Sequence, residues 1–592
     1  MPKSISEIKE WLGNPSHIRR ILVEISGVTN LNGVPQNPVY LSNGAFTTSS
    51  ADTPSSTSYI PRIVGGVSFT ENFSIEGELS LSYGDIEIDN SEGALDYLLG
   101  YIVVNRPITI YLGDPNWVKS DYKTLFVGTV VDLLSRDRNT LNIVISDKLQ
   151  KINTSLSETT IVQPAKNNIE DFVPLTFGEC FNVTPLAYQT TSGATHTTSA
   201  ITGNKTIEFT APHNLLINDT LVWADTFNGI IANQIYWVYT IPNNYSVTVK
   251  KGYYGSEATN LTNATGLTRP AVSNAGATYY VVHPGLIESI IEVRDNGAGP
   301  IDHIPDVTRG RFKLKRQAQG QITCSVQGDK TGGVYVNTIA SIIKNILTSY
   351  GPVSQRLSAA TDIDNTNFSA FDSGIGYNVP VGYFTNSRQN VLNVCNQIAG
   401  SLRAKLAVNI GPLTDDSSVG KVKLVRLAID NSPTHTITAS DIEQFSISVA
   451  SKSEVRAATK LAYCKNWTPQ TSGLATGLDP TSVDILSKEW IYQYAVDNTV
   501  KSNYGITDEP NEEQTLLVET SSAYSEALSR NNLWKTPRYI YQMVCYPSKF
   551  DIQLGDCVSV TNRRFSLSNK IGTVISINRD WIGGRIEIGV LA

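Results

Sequence analysis

The sequence is poor in charged residues, cysteines and histidines, and it contains no long apolar run. Asp, Glu, Lys and Arg make up 17% of the 592 residues, and the formal net charge at pH 7 is −7. Lys and Arg form no basic run, which disfavours a protein that reads nucleic-acid sequence. No apolar stretch has the length of a membrane-spanning helix. The low charge, together with abundant Thr, Ser, Asn and Gly, is typical of β-rich proteins covered by partners and also of extracellular β-proteins.

The six cysteines are widely scattered, and none has the C-x-x-C spacing of zinc and redox sites. Intracellular assembly keeps thiols reduced, so we expect six reduced and mostly buried side chains. Residues 1–13 predict a short amphipathic helix, with charges throughout instead of the apolar core of a signal peptide. We therefore expect a chain made in soluble form in the cytoplasm. The cysteines are Cys180, Cys324, Cys395, Cys464, Cys545 and Cys557.

The sequence contains no recognisable catalytic or metal-binding motif. Its six histidines lie far apart, without the H-E-x-x-H spacing of zinc hydrolases, and no G-x-S-x-G elbow occurs. Residues 327–331 resemble a phosphate loop but lack adjacent Gly-Lys-Thr, which favours a turn between a strand and a helix. Neighbouring carboxylates lie in polar, turn-like segments, where solvated loop charges are the simplest interpretation. We therefore predict no catalytic residue, no metal ligand and no cofactor; the carboxylates are Asp362, Asp364, Asp415, Asp416, Glu512 and Glu513.

Residues 335–350 form the most strongly helical stretch, because apolar residues recur there at three- and four-residue steps. Asn337 is placed to cap the start of this helix, and Gly351 followed by Pro352 ends it. Burying each large aliphatic side chain of the stripe is worth roughly 1.5–3 kcal/mol. We therefore expect the helix to lie against a sheet.

Further elements around this helix predict a central α+β domain over residues 311–450. A second helix, residues 388–402, carries another single apolar stripe. Segments that alternate polar and apolar residues lie on either side of the two helices. The predicted hairpins pair residues 311–315 with 321–327, and residues 404–410 with 421–429.

Two β-rich regions, residues 18–150 and residues 451–592, share an order of features. In each, a helix is followed by a strand, the tripeptide Leu-Gly-Asp, a Gly-Thr-Val run, an Arg-Asp pair and a closing strand. Such a shared order predicts a duplicated β-domain. The corresponding segments are residues 92–99 and 521–534, 112–114 and 554–556, 128–131 and 572–575, 136–137 and 579–580, and 141–146 and 585–590.

Residues 196–274 differ in composition from the rest, with Thr, Asn and Gly between strongly aromatic strands. Near-repeats at the two flanks, SGAT and AGAT, predict a small all-β module inserted into a loop, where insertions cost little. Its aromatic side chains could stack on sugar rings, although alternating aromatics in a small β-sandwich are more often core. The remaining segments are an N-terminal arm, residues 1–17, and a connecting β-region, residues 151–195 and 275–310.

Together these segments predict a β-rich, multidomain α+β protein. It has two tube-like β-barrel or sandwich domains with flanking helices, a central α+β unit and the inserted all-β module. Three segments of the first β-domain, SYGDIEIDNSEGALDYLLG, RPITIYLGDPNW and FVGTVVDL, resemble the N-terminal domain of tail-tip and baseplate hub proteins of tailed bacteriophages. The resemblance continues in the central and C-terminal parts and omits the insert; the segments are residues 82–100, 106–117, 126–133, 310–330, 337–350, 489–498, 533–543 and 554–581.

The resemblance implies a non-enzymatic homotrimer in the phage tail of the virion, assembled in the host cytoplasm. Such a baseplate hub is a structural protein whose ring connects the sixfold tail tube to the threefold tail tip and lines the channel for DNA ejection. Its implied partners are tail tube and distal tail proteins, the tape measure protein and tip fibre or spike proteins. DNA would only pass through the lumen. Two other functions stay open at this point: a receptor-binding tail fibre or adhesin, and a tail-associated cell-wall hydrolase.

Overall fold

The structure is a computed structural model of the 592-residue chain. In the part of the chain that it describes, the protein is a β-rich α+β protein with seven α-helices and 38 strands. The sequence predicted this fold class. The described residues are 3–14, 16–65, 67–73, 83–163, 169–189, 193–215, 217, 219–251, 255–274, 278–411, 417–429 and 432–592.

The N-terminal part begins with helix α1, as predicted from its amphipathic pattern. The Ser4 hydroxyl accepts a hydrogen bond from the Glu7 amide, and the Glu7 carboxylate accepts one from the Ser4 amide, so the first turn is capped on both sides. Trp11 and Leu12 are buried in the core under the strands that follow. The elements are α1 Ile5–Gly13, β1 Arg20–Ile25, β2 Thr29–Asn30, β3 Val39–Ser42, β4 Phe46–Thr47, β5 Ser58–Pro61, β6 Ser68–Asn72, β7 Tyr83–Asp89, β8 Tyr101–Ile102, β9 Pro107–Gly113, β10 Lys123–Asp137 and β11 Thr140–Asp147.

The predicted helix at residues 92–99 is a single 3-10 turn, Asp96–Gly100. Gly93 has a φ of +68°, which interrupts a right-handed helix before it can start. The Asn90 side chain instead accepts from the Leu95 amide and donates to the Asp96 carboxylate. The apolar spacing of Ile75, Leu79 and Leu81 also predicts a strand, and these three residues lie outside the described residues.

The middle of the chain forms two four-stranded sheets and a closed barrel. The sheet orders are β23-β26-β14-β27 and β15-β22-β25-β24, where β27 is Gly382–Thr385, and the barrel is β16-β17-β20-β19-β18-β21. The strands are β12 Thr160–Gln163, β13 Ile169–Phe172, β14 Leu175–Val183, β15 Leu186–Gln189, β16 Thr195–Thr202, β17 Thr206–Phe209, β18 Thr220–Trp223, β19 Ile235–Asn243, β20 Ser246–Lys251, β21 Ala264–Ser273, β22 Thr278–Val281, β23 Ile287–Asp295, β24 His303–Asp306, β25 Arg311–Leu314 and β26 Ile322–Asp329.

The predicted hairpin of residues 311–315 with 321–327 is wrong. Strand β25 pairs with β22 and β24, whereas β26 pairs with β14 and β23. Because β26 is buried along almost its whole length, it takes a central place with a partner on each edge. Local alternation therefore identified both strands but assigned them the wrong partners.

The two predicted central helices are confirmed. Ile342, Ile343 and Ile346 of α2 are fully buried in one core with Phe177 of β14, so the helix lies against a sheet as expected. Its N-cap is Thr338 and not Asn337. The hairpin of residues 404–410 with 421–429 is also confirmed. The elements are α2 Ile339–Ser349, α3 Asn365–Ser373, β27 Gly382–Thr385, α4 Val391–Gly400, β28 Ala404–Val408 and β29 Val422–Arg426.

The C-terminal part divides between two sheets, and not at the predicted boundary between residues 450 and 451. Strand β30 already pairs with β36 of the last region, whereas β32, β33 and β34 form a separate sheet that packs with α7 on the core around α2. The elements are β30 His435–Thr438, β31 Ser448–Lys452, β32 Ala458–Tyr463, α5 Pro480–Ser487, β33 Ile491–Val496, α6 Asn498–Tyr504, β34 Glu512–Gln514, α7 Thr520–Trp534, β35 Tyr539–Cys545, β36 Cys557–Asn562, β37 Leu567–Asp580 and β38 Arg585–Leu591.

Helix α7 is held to the central unit by a buried charge cluster. The Glu526 carboxylate, which is fully buried, accepts hydrogen bonds from Arg403 at 3.1 Å, Arg426 at 2.9 Å and Arg530 at 2.8 Å. The Tyr377 hydroxyl donates to the same carboxylate at 2.8 Å. Burial by itself raises the pKa of Glu526, but the three guanidiniums outweigh it and lower the pKa to about 2.

Candidate assembly sheet

Both β-rich regions belong to one long sheet, whose main path runs β31-β35-β38-β37-β6-β7-β11-β10-β9-β1-β3-β5-β4. Within it, β7-β11-β10-β9 and β35-β38-β37-β36 are antiparallel four-stranded units with the same order and the same chain connections. We call them the first and second meanders, after the three consecutive antiparallel strands in each, β9 to β11 and β36 to β38; β7 and β35 lie beside the last strand of each run. The protein thus contains the same β-arrangement twice.

The two meanders also have a β-bulge at the same place. In the Gly-Thr-Val-Val run of β10, the register with β11 shifts at Val131; in the Gly-Thr-Val-Ile run of β37, the register with β38 shifts at Ile575. Each bulged residue is the fourth of its run. A bulge bends its strand and increases the local twist, so both meanders curve at matching positions.

Two of the predicted correspondences are wrong. Leu112 and Gly113 are the last two residues of β9 and Asp114 follows them, whereas Leu554-Gly555-Asp556 precedes β36, the strand equivalent to β9. Helix α7 precedes β35, so its place differs from that of the 3-10 turn between β7 and β9. Gly-Asp is a common turn dipeptide, and its chemistry accounts for both occurrences.

Strand β6 joins the two meanders. On one edge its residues pair with β7, and on the other edge Ser68–Asn72 pair with Ser576–Asp580 of β37 through five consecutive positions. Additional bonds extend the junction: the Phe73 amide donates to the Ile575 carbonyl at 2.6 Å, and the Thr70 hydroxyl donates to Asn578 at 3.2 Å. The meanders are therefore one continuous hydrogen-bonded surface.

A buried ion pair lies at this junction. The Arg579 guanidinium, which is fully buried, pairs with the Glu71 carboxylate and also donates to the Ile552 carbonyl at 2.7 Å. Neither charge is exposed to solvent, so each depends on the other for compensation. The pair ties strand β6 to its place beside the second meander.

Strand β31 is the counterpart of β6 in the second meander. Ser68 and Phe69 pair with two consecutive residues of β7; Ser448 and Val449 pair in the same way with the equivalent residues of β35. Every residue of β31 is exposed, and β31 is the last strand of the sheet in the part of the chain that the structure describes. Its outer edge is available for another strand.

A second exposed edge lies on β10. Strand β9 pairs with residues 123–129 of β10 and stops before Asp132, so the outer edge of residues 132–137 has no partner among the described strands. The equivalent residues of β37, Ser576–Asp580, are those that β6 occupies. Leu134 in this stretch is 48% exposed.

Phe445, just before β31, is the most exposed large apolar residue of the described chain. Its side chain is 92% exposed and its φ is +68°. A bulky residue rarely adopts the left-handed region, which costs roughly 1–2 kcal/mol, and such strain is common at functional contacts. The sequence carried no signal for this position, because neither exposure nor backbone angle can be seen in it.

The carboxylates singled out from the sequence do not come together in one site. Among those in the described part of the chain, most are not solvated loop charges as predicted. Asp362 pairs with Lys148 at 2.9 Å, Asp364 caps α3, and Glu513 binds Arg530 at 2.7 Å and Arg456 at 3.0 Å. They have structural roles because each compensates a neighbouring cation or amide. Asp415 and Asp416 lie outside the described residues.

The remaining sequence candidates also have structural places. Residues 327–331 run from the end of β26 into a turn, where the Asp329 carboxylate accepts hydrogen bonds from the amide and hydroxyl of Thr331. This is the turn that was predicted in preference to a phosphate loop. No group of three or more His, Cys, Asp or Glu among the described residues could hold a metal ion. Five of the six cysteines are buried, which confirms the predicted burial, and Cys464 is half-buried. No helix in the described part is long and apolar enough to cross a membrane.

The aromatic residues of the insert are divided between core and surface. Trp223 and Tyr236 are fully buried inside the barrel, as the core interpretation expects, whereas Tyr239 and Tyr245 are 42% and 51% exposed. Tyr253 and Tyr254 lie outside the described residues, as do Ser192 of the SGAT flank and residues 275–277 of the AGAT flank.

The sequence matches no protein-family profile and no curated protein. Several solved structures are similar along nearly the whole chain. A tail protein from Neisseria meningitidis MC58 has 7% identity and a TM-score of 0.32, and the match covers 97% of this chain and 96% of that one. The 43 kDa tail protein of prophage MuSo2 from Shewanella oneidensis has 10% identity and a TM-score of 0.36, covering 97% and 98%.

A third similar structure is the prophage tail protein gp18 from Listeria monocytogenes EGD-e. It has 7% identity and a TM-score of 0.31, and the match covers 96% of this chain and 94% of that one. All three TM-scores lie below 0.5. The function of this chain must therefore be argued from its own strand pairings and contacts.

Proposed function

We propose that this protein is a structural component of a bacteriophage tail, namely the hub of the tail tip or baseplate. The observation that supports it best is the β6–β37 junction, through which one chain presents two equivalent meanders in one sheet. Repeated β-units joined edge to edge are suited to a closed ring, because closure leaves no strand edge unpaired.

The junction within the chain indicates how one chain joins the next. Strand β31 is equivalent to β6, and residues 132–137 of β10 are equivalent to the part of β37 that β6 occupies. A β31 strand docked on β10 of a neighbouring chain would repeat the internal junction at the subunit boundary. Leu134 and Ser451 would then lie opposite each other, as Asn578 and Thr70 do within the chain.

Three chains joined in this way supply six meanders. A homotrimer would therefore present sixfold repetition to a tail tube and threefold symmetry to a tip, with the meanders surrounding a channel for DNA. Tail tube, distal tail and tape measure proteins, and tip fibre or spike proteins, are the partners that such a ring requires. The function is passive and non-enzymatic, and it depends on interfaces in the virion.

Disulfide trapping tests both the contact and the number of chains. The double variant Leu134→Cys, Ser451→Cys should form cross-links between chains under mild oxidation, because opposed residues of paired strands have Cα atoms about 4.5–5.5 Å apart. On a denaturing gel the ladder should end at three chains, and native mass spectrometry should give three times the chain mass. Each single variant is the control and should give no ladder.

A ladder that ends at two or six chains, or no ladder from an oligomer, would contradict the proposed ring. A charge placed on strand β31 gives a second test. Val449→Lys should prevent the chains from assembling without unfolding them, because a charged edge strand opposes pairing. Val483→Lys on α5 is the matched control, since Val449 and Val483 are 38% and 37% exposed.

A further inference from the structure

A cleft lies away from the long sheet, between the end of β27, helix α4 and the segments that follow β32 and β34. Its volume is about 770 Å³, within the range of roughly 300–1,000 Å³ that is usual for ligand sites. The ring does not use it, because both exposed edges of the meanders lie on other elements.

The lining of the cleft is polar but almost uncharged. Of the 18 described residues that line it, eleven are Ser, Thr, Asn or Gln. Lys465 is the one charged residue among them, and Glu489 balances it with an Nζ–Oε1 distance of 3.3 Å. A phosphate or carboxylate ligand requires several cations, and a metal ion requires carboxylates. The lining therefore fits a ligand that is rich in hydrogen-bonding groups and carries no charge.

Two tryptophans add apolar surface to this lining. Trp467 is half-buried and is held by edge contacts with Tyr383 and Phe384, at ring-centroid distances of 5.7 and 5.9 Å. The Lys465 ammonium lies 4.6 Å from the ring centre of Trp467 and 5.1 Å from that of Trp490, so both rings border the same space. Flat apolar rings beside amide side chains match a sugar, which has an apolar C–H face and a rim of hydroxyls.

Trp490 gives a second, independent indication. Its side chain is 6% exposed, and its indole N–H finds no acceptor among the described residues. A buried donor without a partner is destabilising, so native proteins seldom retain one without a reason. The N–H is closed off from solvent in the free protein, so a shift of this lining side chain on binding would bring it to a hydroxyl oxygen of the ligand.

We propose that this cleft binds an uncharged oligosaccharide. Asn393 and Gln397 lie one turn apart on α4, both exposed, and face neighbouring hydroxyls of the ligand. Trp467 supplies the stacking surface. A peptide strand added to the edge of β27 fits less well, because the outward Gly382 amide already donates to the Leu516 carbonyl at 3.0 Å.

Calorimetry and tryptophan fluorescence with the full-length protein test the proposal. The probes are hexamers of N-acetylglucosamine, of glucose and of mannose, with hexagalacturonate as the charged control and an uncharged ten-residue peptide as the competing class. We expect at least one neutral hexasaccharide to bind once per chain and the other two classes not to bind. The double variant Asn393→Ala, Gln397→Ala should weaken binding about tenfold or more, since it removes at least two hydrogen bonds.

The control is Asn503→Ala, an exposed asparagine on α6 that does not line the cleft, which should bind as the unmodified protein does. Trp490→Phe keeps an aromatic ring and removes only the N–H, so a several-fold loss with unchanged thermal unfolding supports the proposed contact. The proposal fails if no neutral hexasaccharide binds. It also fails if binding survives in the double variant, or if the galacturonate or the peptide binds equally well.

Discussion

Arg579 and Glu71 form a buried ion pair although 508 positions separate them in the sequence. The pair joins the first and last β-regions at the one strand, β6, that both meanders share. A charge removed from either side would leave the other buried without compensation.

We predict that Arg579→Ala lowers the free energy of unfolding by about 3–5 kcal/mol, because it leaves Glu71 buried and unpaired. Urea denaturation followed by circular dichroism measures this change. The control is Arg585→Ala, whose partner Glu443 is at 2.9 Å in an exposed pair and whose loss should cost about 0–1 kcal/mol. Equal effects of the two substitutions would show that the junction does not depend on this pair.

We predict that Phe445→Asn weakens the association between chains without lowering the stability of the single chain. Asn tolerates a positive φ far better than Phe, so the isolated chain should keep its stability or gain up to about 1 kcal/mol. Loss of the exposed ring should weaken association between chains by about tenfold or more if Phe445 lies in the subunit contact. Sedimentation at several concentrations measures association; an unchanged constant would place Phe445 outside the contact.

The Glu526 cluster predicts a dependence of stability on pH. Because the folded-state pKa of about 2 lies below the ordinary value of 4.5, the stabilisation is complete above about pH 4.5 and is lost as the pH falls toward 2. The loss is on the order of 3 kcal/mol for this buried group. Urea midpoints between pH 2.5 and 6 measure it.

Glu526→Gln should be less stable than the unmodified protein at pH 6, and the difference between them should shrink at pH 2.5. Asp484→Asn is the matched control, since Asp484 belongs to an exposed pair with Lys488 on the surface of α5. A constant difference across this range would contradict the assigned role of Glu526.

Removal of the barrel should leave the rest of the protein folded. A deletion that joins Thr195 to Ala275 removes strands that close on themselves, with their own core around Trp223. It also removes two contacts of the buried Lys313, with Asp219 at 3.2 Å and Asn274 at 3.1 Å. We therefore expect a soluble, assembling protein that is destabilised at Lys313, and Lys313→Met should restore stability in the deletion variant. Hydrogen exchange that shows α2 unprotected after the deletion would show that the barrel belongs to the core.

Local pattern alone predicted many of the elements. The closing strands predicted at residues 141–146 and 585–590 are β11 and β38 of the structure, and the apolar stripe of residues 335–350 predicted helix α2. Both succeed because neighbouring residues fix periodicity, and periodicity selects which face is buried. The two Gly-Thr-Val runs indicated the duplication, and in the structure each is followed directly by the residue that bulges.

The partners of these elements depended on distant parts of the chain. Strand β26 fits beside β14 and β23 only once the central core has formed, and Glu513 became a structural ion because Arg530 of α7 lies next to it. The sequence by itself determined the β-rich class, helices α1, α2, α4 and α7, and the repetition of a β-unit in the first and last regions. Tertiary structure alone decided that β6 joins β37, that β31 and β10 keep open edges, and that Phe445 is exposed. Strand pairing is set by backbone hydrogen bonds between segments hundreds of residues apart, and backbone groups are the same in every residue.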